Sequence, residues 1–211
     1  MPAITDFTFN DNLKRQIGAN VAAFQDDRKS EQSLKAAAVA LTIINHEGDG
    51  ALIVTRRTPR LKDHGGQWAL PGGRIDDGES AIEAALRELH EEVNLKLTTD
   101  SVLGTLDDYH TRSGFVITPV VVWTDLVDID LVPSPVEVES IHSFSFEQLA
   151  RTDSPRLESI PESERQVLSM HFDDSWIYAP TGAMLYQFRE VALHDRHTRV
   201  AHFDGPVFTW K

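Results

Sequence analysis

The chain has 211 residues, of which 41% are hydrophobic and 25% charged, with a formal net charge of −13 and no cysteine. These proportions fit one folded domain of ordinary size, with or without terminal additions, and exclude a disordered or fibrous chain. The acidic balance opposes general attraction to nucleic acid or anionic membranes, and the lack of thiols excludes disulfides, thiolate metal sites and cysteine nucleophiles.

Residues 1–10 lack the basic and apolar blocks of a secretory signal, no apolar run approaches membrane-spanning length, and the ending Phe208-Thr209-Trp210-Lys211 is not a peroxisomal tripeptide; cytoplasmic residence is the expectation. Leu13, Ile17, Val21 and Phe24 stand at helical spacing and predict a helix within residues 10–26. Two β-type runs, 36–44 and 51–55, flank His46-Glu47-Gly48-Asp49-Gly50, where the Asp-Gly pair predicts a hairpin turn. After a glycine-rich loop comes a predicted helix over 80–93, then strands over 102–106, 115–123 and 136–144. Short helices are expected at 146–150 and 162–170, a last helix at 183–193, and a tail with a turn at Gly205-Pro206. This order suggests an accessory helix and linker over 1–33, a main domain over 34–195 and a tail over 196–211.

The helix over 80–93 carries the chemistry. Ser80 with Glu83 three residues on is a capping box, which satisfies backbone N–H groups that have no partner inside the helix. Ile82, Ala85, Leu86, Leu89 and Val93 share one side, while Glu88, Glu91 and Glu92 gather on another. At positions i, i+3 and i+4 the three carboxylates repel by roughly a few tenths of a kcal/mol per pair, so a positive partner is expected there. A hard divalent ion such as Mg²⁺ prefers oxygen ligands and leaves room for substrate phosphates. Arg87 can brace the cluster or pair with Glu83.

Reading outward, Gly73, five residues, Glu79, seven residues, Arg87-Glu88-Leu89, one residue, Glu91-Glu92, one residue and Asn94-Leu95 resembles the Nudix box. Asn94 stands where that box has glycine, and asparagine is the next-best residue for the left-handed backbone expected there. The resemblance implies an α/β fold, an α/β/α sandwich with a mixed β-sheet, and metal-dependent hydrolysis of a diphosphate bond with Mg²⁺ or Mn²⁺. It implies Glu91 and Glu92 as main metal ligands, Glu88 as a further ligand or the base, Arg87 as its orienter and Glu79 as support for the loop. It adds the Gly72 carbonyl as a ligand and a carboxylate from a later loop, with Glu137 the best match and Glu139 its rival.

Arg56, Arg57, Arg60 and Lys62 place four cations within seven residues just before the glycine loop, local positive charge where an anionic substrate needs it. Thr55, Arg57, Gly66, Pro71, Gly72 and Gly73 resemble the signature of coenzyme A diphosphatases in register. Thr58, Lys62 and Leu70 depart from it, and lysine offers phosphate no bidentate fork. The run from Ser113 to Val121, through Thr118-Pro119-Val120, is similar to the same subfamily and could border the pocket as a core strand. The resemblance therefore implies coenzyme A or its derivatives as substrate, giving 3′,5′-ADP and 4′-phosphopantetheine, with Arg57 reading a 3′-phosphate remote from the scissile bond. ADP-ribose or another nucleoside diphosphate derivative is the alternative substrate, and a non-catalytic Nudix-fold binding domain the alternative class. The expected partner is a small-molecule diphosphate, not nucleic acid or membrane, with a homodimer left open.

Overall fold

The computed structural model describes residues 3–28, 33–61, 63–126 and 129–210. Helix α1 (Asp11–Ala23) begins where the Asn10 side chain accepts from the N–H groups of Asn12 and Leu13 at 2.9 and 3.0 Å, supplying partners the first helical turn lacks. Leu13, Ile17 and Val21 are buried in the same hydrophobic cluster as the sheet residues Leu41, Leu52 and Val121. The segment expected as an accessory helix thus packs into the main core.

Strands β1 (Lys35–His46) and β2 (Asp49–Arg57) form the expected hairpin. Its turn sits on Glu47-Gly48, with φ of 55° and 98°, because Asp49 and Gly50 already pair with His46 and Asn45. Positive φ at both central residues matches the twist of the flanking strands. Two short strands, β3 (Trp68–Ala69) and β4 (Gly72–Arg74), flank the glycine loop; β4 pairs with β1 and β3 with β2. Helix α2 (Ala81–Val93) follows, then β5 (Val102–Thr105), β6 (Tyr109–His110), β7 (Phe115–Trp123) and β8 (Val138–Ser145). β7 runs parallel to β1 from Lys35↔Phe115 to Ile43↔Trp123, and the other pairs are antiparallel, so the sheet is mixed.

β1 is buried without interruption from Ala37 to Ile44 because both of its faces are covered, and Thr42 alone is polar in that run. Ala38 and Ala40 meet Ala84, Ala85 and Leu89 of α2, whereas Val39, Leu41 and Ile43 join the cluster that contains α1. The second face also receives α3 (Phe146–Leu149) and α4 (Thr181–Phe188), which runs on into a π-helical turn over Arg189–Leu193. This is the expected α/β/α arrangement.

The helix expected over 162–170 does not form. Its second half belongs to β10 (Val167–Phe172), which lies between β9 (Arg156–Glu158) and β11 (Ser175–Tyr178) in a separate three-stranded sheet. Leu168, Met170 and Phe172 alternate into the main core, the period of a strand. The C-terminal stretch also joins this core through Val200 and Phe203, and Tyr109 Oη donates to the Phe203 carbonyl at 2.8 Å. Among the described residues no helix is long and apolar enough to cross a membrane.

Candidate functional site

Helix α2 has both ends set by local chemistry. Ser80 N–H donates to Glu83 Oε2 at 2.8 Å and Glu83 N–H donates to Ser80 Oγ at 3.2 Å, closing the capping box. Asn94 takes φ 60° and ψ 25°, the left-handed conformation that glycine or asparagine adopts most easily. Between these ends the three glutamates expected to form one acidic patch have different surroundings. Glu92 is buried, with 3% exposure, Glu88 is partly buried, and the Glu91 side chain is 58% exposed.

Glu88, Glu92 and Glu137 each place an oxygen within 4.8 Å of the other two. Glu137 occupies the turn just before β8 rather than the strand expected from residue 136. Thr58 N–H donates to its carbonyl at 2.9 Å, and Ser134 N–H donates to the Glu92 carbonyl at 2.8 Å, which docks this turn against the end of α2. The β2–β8 register shifts here, Arg56 pairing with Ser140 but Arg57 with Val138. Such a bulge re-aims side chains. Glu137 therefore faces the cluster, while Glu139 is exposed and stands 3.9 Å from Arg56.

Arg87 ties the cluster to the loop that precedes it. Its Nε and Nη2 donate to the two oxygens of Glu79 at 2.9 and 3.0 Å, Nη1 donates to Glu88 Oε1 at 2.8 Å, and Nη2 also donates to the Arg74 carbonyl at 2.9 Å. The guanidinium holds the Glu79 carboxyl below the ordinary range. Glu91 Oε2 lies 3.4 Å from the same guanidinium, and Glu83 is engaged by Ser80 instead. A Cβ at Gly73 would collide with the Glu88 carboxylate, and one at Gly72 with the Ala38 carbonyl and Val39, so both glycines are required by close approach. Gly72 also makes a backbone hydrogen bond to Glu92.

Burial pushes the Glu92 carboxyl up to about 8; the charges of Glu137 and Glu88 add to the rise, and Arg57 and the Gly72 hydrogen bond oppose it. Burial likewise raises Glu88, against the pull of Arg87. Glu92 Oε1 is buried with no hydrogen-bond partner, and Arg57 Nη1 stands 3.8 Å from it. Three hard oxygen donors, one of them an orphaned buried carboxylate oxygen, match the donor set of a divalent ion.

Next to the cluster lies a cavity of about 410 Å³. Arg57, Gly72 and Gly73 line it and so connect it to the carboxylates, which are not themselves part of its wall. Of the basic run, Arg56 also lines the cavity, its guanidinium 5.2 Å from the Trp68 ring centre. Arg60 is exposed in the turn after β2 and away from the cavity wall, and Lys62 lies outside the described residues. Ser113, Phe115 and Ile117 line the cavity from the β6–β7 loop and β7. Sequence reasoning missed Arg74, Trp68, Trp176, Tyr178 and Phe208 in the same wall. The aromatic residues at 176 and 178 alternate as in a strand, but Phe208 sits in a short 3₁₀ turn that carries no sequence signal.

The fold and this site define an α/β/α sandwich in which a glycine loop leads into a helix bearing an arginine-braced acidic cluster. The chain belongs to the Nudix family: a family model described as NUDIX domain matches residues 34–163. The chain is 43% identical over 86 residues to a protein described as an uncharacterized Nudix hydrolase, NudL, from Escherichia coli strain SMS-3-5, covering 40% of this chain and 44% of that one. It is 38% identical over 112 residues to the protein of the same description from Yersinia enterocolitica, covering 51% and 57%. The match thus spans about half the length of these relatives. Among solved structures, a MutT/nudix family protein from Enterococcus faecalis superposes with a TM-score of 0.49 at 14% identity, covering 81% of this chain and 64% of that one.

Proposed function

We propose that the chain hydrolyses the diphosphate bond of a nucleoside diphosphate derivative, with coenzyme A or its derivatives as substrate and 3′,5′-ADP and 4′-phosphopantetheine as products. The observation that carries the reading is the cluster of Glu88, Glu92 and Glu137 within 4.8 Å at the glycine-loop end of a cavity that also presents Arg56 and Arg57. The choice of coenzyme A rests on the run from Thr55 to Gly73 and on Ser113 to Val121.

Nudix hydrolases generally use divalent ions such as Mg²⁺ or Mn²⁺. Here Glu88, Glu92 and Glu137 would hold the ion, with the Gly72 carbonyl completing the set and Glu91 joining from the solvent side. When bound, the ion neutralises charge on the diphosphate and makes water a better nucleophile. Glu92 must give up its proton to become a ligand, which makes loading pH-dependent. Arg87 takes Glu88 Oε1 and fixes that carboxylate, which leaves Oε2 for one of two roles, holding the ion or accepting the proton of the attacking water. Burial raises the Glu88 carboxyl above its ordinary value, the direction that strengthens a base; Glu137 is the alternative acceptor. Arg57 supplies positive charge for the phosphate oxygens beside the cluster.

The test is mass spectrometry of the products formed from coenzyme A, dephospho-coenzyme A and ADP-ribose, each with Mg²⁺, with Mn²⁺ and with a chelator. Production of 3′,5′-ADP with either ion and none in chelator is the expected result. Faster turnover of ADP-ribose replaces coenzyme A as substrate, and no turnover of any compound overturns the hydrolase reading.

A further inference from the structure

The cavity has two walls of different origin. Arg57, Gly72, Gly73 and Trp68 belong to the stretch the family model matches, whereas Trp176, Tyr178 and Phe208 come from beyond it. The walls are tied together: Trp68 Nε1 donates to Ser175 Oγ at 3.1 Å, Thr181 Oγ1 to the Trp68 carbonyl at 3.3 Å, and Gln67 Nε2 to the Phe208 carbonyl at 3.4 Å. The Phe208 ring meets Tyr178 edge-on, with centres 5.5 Å apart at 90°, yet Phe208 remains 55% exposed. An aromatic ring held in place at a cavity rim but left open to water contributes little to the core and offers its surface to whatever enters the cavity.

Arg57 and the adjacent carboxylates suit phosphate, while Trp68, Trp176, Tyr178 and Phe208 add aromatic surface to the same cavity wall, with Arg56 5.2 Å from the Trp68 ring centre and Arg156 5.3 Å from that of Trp176. A diphosphate alone does not need a cavity of about 410 Å³, a size within the usual range for pockets that hold a whole small molecule. Aromatic side chains hold any nucleobase by stacking because every base has a π-face.

Resting on the diphosphatase reading, we propose that Trp176 and Phe208 form a nucleobase wall that holds the planar ring of the substrate while its phosphates face Arg57 and the carboxylates. The C-terminal segment, outside the family-matched stretch, thereby sets which diphosphate derivatives the site accepts. A base seated there orients the diphosphate, so losing the wall weakens binding of base-bearing ligands and spares ligands that have none.

The experiment is calorimetric titration of the full chain in Mg²⁺ with AMP, ribose 5-phosphate and 4′-phosphopantetheine. None of these contains a diphosphate, so binding is read whether or not the chain hydrolyses anything, and a failure here is separable from a failure of the diphosphatase reading. AMP should bind at least about tenfold more tightly than ribose 5-phosphate, in line with the stacking contribution of one base. Trp176→Ala and Phe208→Ala should each bring the two affinities to within about threefold, chiefly by weakening AMP, while Trp176→Phe keeps most of the difference. Phe208 is exposed, so Phe208→Ala should keep the wild-type melting temperature and control for misfolding at position 176. Equal affinity for AMP and ribose 5-phosphate in the wild type overturns the proposal. So does equal weakening of both in the variants, or a preference for 4′-phosphopantetheine that the same substitutions abolish.

Discussion

Arg57 Nη1 stands 3.8 Å from the buried Oε1 of Glu92, and both Arg57 Nε and Glu92 Oε1 are buried without a hydrogen-bond partner. A guanidinium in that position is beside the carboxylate cluster, not at a distance from it. The sequence suggested that Arg57 reads a 3′-phosphate remote from the scissile bond; its position instead suits the diphosphate itself. Arg57→Ala should therefore lower kcat/KM for coenzyme A and dephospho-coenzyme A by the same factor, on the order of ten- to a hundredfold for a lost charge-assisted contact. A selective loss on coenzyme A would restore the remote role.

The unequal burial of the helix glutamates ranks them. Glu92 is enclosed and shares the cluster with Glu88 and Glu137, whereas Glu91 is 58% exposed and near Arg87. Glu92→Gln should cost about 10²–10³-fold or more in kcat, the scale of one group that stabilises developing charge. Glu91→Gln should cost at least about tenfold less. Steady-state kinetics at saturating Mg²⁺ separates them, and an equal or larger loss at Glu91 would move it into the inner set.

The two glycines of the loop should fail in different ways. At Gly73 an added Cβ meets the end of the Glu88 side chain, which can swing aside, so Gly73→Ala should fold with little change in melting temperature but lose most activity. At Gly72 the Cβ meets the backbone of Ala38 and Val39 in β1, which cannot yield without disturbing the sheet. Gly72→Ala should lose about 1–3 kcal/mol of stability, as overpacked sites do. Denaturant unfolding and activity measured on both variants check the pair, and matching profiles would reject the distinction.

Free of metal ion, the carboxylate cluster makes stability depend on pH. Glu92 sits near 8 in the folded chain against an ordinary value of 4.5, so folding favours its protonated form. That contribution is complete below pH 4.5 and is lost as the pH climbs through about 8, with a slope of at most about 1.4 kcal/mol per pH unit for one proton. In chelator the melting temperature should fall from pH 6 to pH 9, more steeply for the wild type than for Glu92→Gln, and Mg²⁺ should restore it at the alkaline end. Parallel curves for the two proteins would show that Glu92 is not the titrating group.

Helix α2 was legible in the sequence because everything that defines it is local. The Ser80–Glu83 box, the apolar stripe through Leu89, the left-handed Asn94 and the spacing of Glu79, Arg87 and Glu88 all lie within a few turns of chain. β1 and β7 were legible for a related reason, since a strand covered on both faces reads as a largely apolar run, broken here only by Thr42 in the middle of β1 and Thr118 in β7. Only the tertiary structure decided which glutamates come together. The difference between Glu137 and Glu139 depends on a bulge opposite Arg56 and Arg57, and the burial of Glu92 depends on loops docked over the end of α2. The 167–172 segment became a strand because β9 and β11 offered it pairing partners; the alternation of Leu168, Met170 and Phe172 with Ser169 and His171 fits a strand, but which segments it pairs with is not local information. The same pairing brings Trp176 to the cavity, more than one hundred residues after Gly73, because long-range contacts are set by how the sheets pack and not by spacing along the chain.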